Sequence, residues 1–129
     1  MNFPDDLKYT EKDEWVRVDG STAVMGITDY AQDALSDIVY LEYEVSEGDE
    51  FSKGDTLGTI ESVKAASDVY FPAGGKVVAV NEDLLDAPET VNSDPYGEAW
   101  MVKFELADPG ELDALMDAKA YEAYVAERE

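Results

Sequence analysis

The sequence predicts a mainly β fold, a small sandwich or barrel with short helices on its outside. Three observations carry that reading. Short runs of alternating apolar and polar residues, broken by Gly, Asp and Pro, fill the first two-thirds of the chain. The period then becomes helical, with Leu112, Leu115, Met116, Tyr121, Tyr124 and Val125 recurring at helical spacing. The 129 residues are 45% hydrophobic and include eight Tyr, four Phe and two Trp, enough for one packed core.

The elements follow in order. Glu14–Val18 alternates as a half-buried strand, Asp19-Gly20-Ser21 turns, and Thr22–Ile27 returns, which makes a hairpin. Thr28 is placed to cap a short helix over Asp29–Leu35, with Asp29 in its first turn. Asp37–Tyr43 reads as a strand with Ile38, Tyr40 and Glu42 on one face and Val39, Leu41 and Tyr43 on the other. Turns are expected at 47–49 and 53–55. Thr56–Ile60 and Val69–Phe71 flank the segment Glu61–Asp68, and Lys76–Val80 follows the turn at 72–75. Asn81–Tyr96 reads as loop with one helical turn near Asp83–Leu85. The last strand is expected over Glu98–Leu106, with Trp100, Val102 and Phe104 on one face. Asp108 then caps a helix that has Pro109 at its first position, and Asp117 caps a second. No linker or repeat divides the chain, so one domain over 1–129 is expected, with a core at 7–106 and a helical segment at 108–127.

Charge narrows the function. With 31 acidic residues against 9 basic ones, the net charge is −22. Nucleic acid and anionic membrane surfaces are poor partners for such a chain, because both need clustered Lys and Arg. The acidity reads either as a docking surface for basic partners or as halophilic adaptation, in which a salty cytoplasm screens the self-repulsion. The dispersal of carboxylates along the whole chain favours the second.

There is no Cys and no His. Disulfides, thiolate nucleophiles and imidazole bases are thereby excluded, and with them most hydrolase arrangements. A carboxylate-only metal site stays open, but no EF-hand spacing occurs and no metal site is expected. No basic stretch followed by an apolar run opens the chain, and no apolar run is long enough for a span, so a soluble cytoplasmic protein is expected.

One segment stands apart: Gly58-Thr59-Ile60-Glu61-Ser62-Val63-Lys64-Ala65-Ala66-Ser67-Asp68-Val69. Two β-rich stretches meet at a tight turn, and a single Lys sits near the tip beside small residues. Such an amine is open to an enzyme. On spacing alone, an exposed Lys on a turn usually reads as a solvated charge.

The stretch Glu61-Ser62-Val63-Lys64-Ala65-Ala66-Ser67-Asp68 resembles the lipoylation site of the glycine cleavage H-protein family. Lys8-Tyr9-Thr10 and Glu14-Trp15-Val16 resemble that family's opening. Gly26-Ile27-Thr28-Asp29-Tyr30-Ala31-Gln32 resembles its first helix entry, and Asp37-Ile38-Val39 its next strand. Val91-Asn92, Asp94-Pro95-Tyr96-Gly97 and Trp100 resemble its late loop and last strand. The likeness runs over residues 7–125 in matching order.

The resemblance implies a barrel-sandwich hybrid of the lipoyl/biotinyl-carrier kind, with C-terminal helices outside it. It implies lipoate joined by an amide bond to Lys64, in the sequence context of Glu61, Ser62, Val63 and Ala65. It implies a non-enzymatic carrier in glycine catabolism and one-carbon metabolism. Its partners would be a pyridoxal-phosphate glycine decarboxylase, a tetrahydrofolate-dependent aminomethyltransferase, a dihydrolipoamide dehydrogenase and a lipoate-attaching enzyme. A lipoyl-lysine arm reaches about 10–15 Å, which suits a monomeric carrier making transient visits. Glu14 and Asp68 match family positions near a cleft that shelters the loaded arm. The chain departs from the family at Asp13, where His is frequent, and at Ala34, where some members have His, so no His role carries over.

Other readings differ in kind. A lipoyl domain of a 2-oxo acid dehydrogenase would read Glu-Thr-Asp-Lys-Ala and carry a linker, and a biotin carrier would place Met on both sides of the Lys. Neither fits Val63 and Ala65. A lipoyl or octanoyl relay in cofactor assembly, and an unmodified acidic binding module, stay open at this point. The charge alone generates one expectation. Screening relieves self-repulsion, so the melting temperature should rise from dilute buffer to molar salt. A midpoint that does not move would assign the acidity to docking.

Overall fold

Residues 1–128 are described here from a computed structural model. Nine strands form two antiparallel sheets. They are β1 (Lys8–Tyr9), β2 (Glu14–Asp19), β3 (Thr22–Ile27), β4 (Ile38–Tyr43), β5 (Glu50–Phe51), β6 (Thr56–Ser62), β7 (Ala66–Tyr70), β8 (Gly75–Val80) and β9 (Val102–Leu106). The larger sheet runs β1-β2-β3-β9-β8-β5 and the smaller β4-β6-β7. Helices α1 (Asp29–Leu35), α2 (Asp83–Asp86), α3 (Thr90–Ser93) and α4 (Ala118–Arg128) decorate the outside, with a 3₁₀ segment over Pro109–Ala114.

The expected hairpin is present, pairing Glu14 with Ile27 and Asp19 with Thr22. So is α1 with its cap, where the Thr28 side chain accepts from the Ala31 N–H. The Asp108 side chain likewise accepts from the Gly110 N–H at 3.0 Å, but the turns after it are 3₁₀ and not α. Asp117 accepts from the Ala120 N–H at 2.8 Å at the start of α4.

The main core lies between the sheets. Leu41, Ile60 and Val69 of the small sheet meet Met25, Val77, Val102 and Phe104 of the large one. Phe51 and Phe71 stack at 3.5 Å between ring centres, and Phe104 meets both edge-on. A second cluster forms where α4 covers β1 and β2, uniting Tyr9, Trp15, Tyr96, Tyr121 and Val125. Tyr9 and Tyr121 stack there at 4.7 Å, and neither is exposed at all.

Several expectations need correction. In β4 the alternation breaks, because Ile38 pairs with Ser62 and Tyr40 with Glu61, which leaves Val39 as a bulge. Ile38 and Leu41 therefore both face the core, while Val39 and Tyr40 face solvent. The last strand begins at Val102, not Glu98. Trp100 leaves the core face and packs on the second cluster, since 98–101 is drawn away by bonds such as Ala99 N–H to the Asp94 carbonyl. The 81–96 stretch holds two helical turns, α2 and α3, pinned by buried Leu84 and Val91. Finally, β5 escapes notice because two residues show no periodicity.

Close approach governs one glycine. A Cβ built on Gly58 would collide with the Glu42 carbonyl across the β4–β6 ladder. Gly58→Ala should therefore destabilise the protein by about 1–3 kcal/mol, through forced separation of two hydrogen-bonded backbones. Urea unfolding measures this, and an unchanged midpoint would mean that the ladder relaxes freely.

Candidate functional site

The β6–β7 hairpin ends in a turn built by one hydroxyl. Ser62 Oγ accepts from the Lys64 and Ala65 N–H groups at 3.3 and 3.1 Å, and donates to the Ala65 carbonyl at 3.1 Å. The Ser62 N–H closes the turn on the same carbonyl at 2.7 Å. Ser62 thus satisfies backbone groups that an unaided turn would leave to water. The Val63 N–H donates to the Asp37 carbonyl at 3.0 Å and fastens the turn to the start of β4.

Lys64 sits at the tip, exposed, as are Glu61, Val63, Ala65 and Ala66, with Ser62 half-buried. Among the described residues the ion pairs are Arg17–Asp6 and Arg128–Asp13, and Lys64 takes part in neither. Its amine is therefore reachable, on a tip whose backbone is fixed. The small Ala65 and Ala66 leave the approach open.

Glu14 is not a surface charge, being only 2% exposed. Its carboxylate accepts from the Thr10 hydroxyl at 2.7 Å and from the Tyr70 N–H at 2.8 Å. It stands on β2 of the large sheet and so grips the end of β7 in the small one. Burial pushes its pKa up, while the two hydrogen bonds hold it down in part. Asp68 is exposed and accepts from the Thr59 hydroxyl across the hairpin at 3.0 Å. Both acids border one cavity of about 160 Å³, together with Ile27, Ala31, Leu35 and Ser67. Ala34 opens onto the same cavity. Its walls come from α1 on one side and from β6 and β7 on the other. A larger cleft of about 590 Å³ shares Lys12 and Glu14 with it and runs on past Tyr70, Phe71 and Met116.

Several residues shape the two clefts through contacts that the sequence did not signal. Tyr70 acts through its backbone N–H, which every residue but Pro owns. Thr10 acts through a four-residue turn, accepting from Lys12 and Glu14 N–H groups at 3.2 and 3.1 Å. Asp13 adopts φ 69°, a region in which Asp is tolerated better than most residues. The Arg128 guanidinium pairs with it and lies over the Tyr30 and Tyr124 rings at 4.6 and 4.5 Å. Tyr121 donates its hydroxyl to Asp13 at 2.9 Å, so the Thr28 hydroxyl, 2.7 Å away, is the donor to Tyr121. The C-terminal helix thereby braces both Asp13 and the cap of α1. Among the described residues no cluster of acidic groups could hold a metal ion.

A family model described as glycine cleavage H-protein matches residues 7–128. A glycine cleavage system H protein of Anaeromyxobacter sp. (strain K) is 52% identical over 129 residues, covering 100% of both chains. Another, of Carboxydothermus hydrogenoformans, is 51% identical over 124 residues, 96% of this chain and 95% of that protein. The crystal structure of a glycine cleavage system H protein from Mycobacterium marinum superposes with a TM-score of 0.86 at 32% identity, covering 96% of this chain and 99% of that one.

The buried carboxylate generates a pH prediction. A raised pKa means that folded Glu14 binds its proton more tightly than the unfolded chain does. The stability it adds is complete below its ordinary value of 4.5 and is lost as pH rises through the folded value. The stability of the native protein minus that of Glu14→Gln, from urea titrations between pH 4 and 7, should therefore fall with rising pH. A flat difference would mean that no proton is taken up there on folding.

Proposed function

The chain belongs to the glycine cleavage H-protein family and is a lipoyl carrier, not a catalyst, and from that premise we propose that Lys64 bears the lipoyl group. One observation supports this above the rest: an exposed amine with no ion pair among the described residues, on a hairpin tip held by Ser62. The residues present fit the group. An amide at Lys64 removes a positive charge that nothing in the fold requires, and the neighbouring Val63 and Ala65 offer no steric bar.

When bound, lipoate supplies a sulfur pair that takes up and releases a one-carbon unit and two electrons. The chain's own contribution is position and shelter. Ser62 fixes where the tether begins. Ile27, Ala31 and Leu35 give the cavity an apolar wall, and Glu14 sets a buried acceptor in it. Glu14 and Asp68 are the residues proposed to border the resting place of the arm. Neither Lys64 nor any residue around it needs to exchange protons with a substrate, which suits a chain lacking His and Cys.

The proposed partners are the pyridoxal-phosphate decarboxylase that acts on glycine, the tetrahydrofolate-dependent aminomethyltransferase, the flavin-dependent dihydrolipoamide dehydrogenase and the lipoate-attaching enzyme. A monomer that binds each transiently is the proposed working form, since a shuttle must let go after each visit. No helix among the described residues is long and apolar enough to cross a membrane. The proposed place of work is the cytoplasm, with the carboxylates serving in a salty one.

Intact mass of protein from its native host should show one lipoyl group on Lys64. Lys64→Ala should abolish glycine-dependent carbon dioxide exchange by the reconstituted system and leave the melting temperature unchanged, because the side chain is exposed. A permanently bare Lys64 would overturn the attachment site. Lipoylated protein that fails to support exchange would point to a relay in cofactor assembly.

A further inference from the structure

The surface beside Lys64 is more apolar than a carrier's rim needs to be. Val63, Val39 and Tyr40 are 67%, 53% and 49% exposed, among the largest exposures of big hydrophobic side chains in the molecule. All three lie at the same end of the small sheet. The bulge at Val39 places Tyr40 opposite Glu61, on the outer face, and the Val63 N–H to Asp37 bond lays the turn against the start of β4. None of these side chains contributes burial to either core cluster. Exposed Asp37, Glu42 and Glu61 fringe them. An apolar centre with a charged rim is the anatomy of a contact surface.

We propose that Val39, Tyr40 and Val63, with the acidic fringe around them, form the recognition surface for the enzyme that joins the cofactor to Lys64, a partner whose active-site mouth is apolar and rimmed by cations. The inference rests on Lys64 as the attachment site. Reach selects this partner among those that meet the arm. A Lys side chain spans only about 6 Å from Cα to Nζ, so amide formation must take place against the hairpin itself. Side chains flanking the tip then lie inside the contact. Once the arm is attached, later enzymes work about 4–9 Å further out and can stand clear of the patch. The step forms one C–N bond between Nζ and the carbonyl carbon of an activated acyl donor, such as an acyl adenylate. It breaks the bond from that carbon to the activating group, which departs with the bonding electrons, and the amine gives up one proton. The patch also explains how one of seven lysines is chosen. The general negative charge draws a cationic enzyme to the whole surface, and only the apolar centre marks the place.

The test uses unmodified full-length protein, an ATP-dependent lipoate ligase and lipoate, with the rate of mass gain on Lys64 as readout. The double variant Tyr40→Ser/Val63→Ser should raise KM for the protein roughly tenfold or more while kcat and the melting temperature hold. Val18→Ser and Val78→Ser, at exposed positions elsewhere, should match the native protein. In competition, Lys64→Ala protein should inhibit ligation, and the same protein carrying the double variant should not. A native KM in the double variant, or equal loss in the Val18 and Val78 variants, would overturn the recognition surface. Native protein that gains no mass at all would instead overturn Lys64 as the attachment site.

Discussion

The hydrogen bond from the Tyr70 N–H to the Glu14 carboxylate is the contact that ties the two sheets together beside the clefts. β7 is an edge strand of the small sheet, so at its end a backbone donor points away from the ladder. Buried without a partner it would be costly. Glu14 reaches from the other sheet to satisfy it, and Thr10 in turn satisfies Glu14. A charge-capable group is thereby placed in the interior, between the two sheets, where it borders both clefts. One polar chain of contacts thus joins the sheets and defines the acceptor in the cavity wall.

Rigidity at the hairpin tip and mobility of whatever it carries are complementary. Ser62 uses its hydroxyl to hold the turn, and Val63 ties it to the start of β4, which restrains the backbone from which an arm would extend. The bulges in β4 and β6 add to this by twisting the small sheet and turning Val39 and Tyr40 outward. The same irregularities that close the fold also decide which side chains stand beside the attachment point.

Charge has a different logic. A net charge of −22 spread over the chain disfavours compaction in dilute solution, and the few cations are placed sparingly. Arg128 is held between two tyrosine rings and bonded to Asp13, and Arg17 donates to the Tyr96 carbonyl at 3.1 Å. Each brings distant parts of the chain together at a place where carboxylates alone would repel.

Much of this was legible beforehand, because its physics is local. The hairpin over residues 14–27, the Thr28 cap, the Asp108 cap and the turn at Lys64 each depend on residues a few positions apart. For the Glu61-Ser62-Val63-Lys64-Ala65 stretch, local spacing showed only an exposed Lys on a turn, and the proposal of an attachment site there came from its resemblance to the family's. What only the tertiary structure decided has no local cause. The buried state of Glu14 needs an N–H that lies 56 residues further along the chain. The brace on Asp13 needs an arginine 115 residues away. The bulge at Val39 follows from pairing with β6, and it inverts a facing pattern that alternation alone assigns. Trp100 leaves the strand because the Asp94 turn captures the backbone before it. A sequence displays spacing along the chain, and these features arise where packing brings together groups that spacing keeps apart.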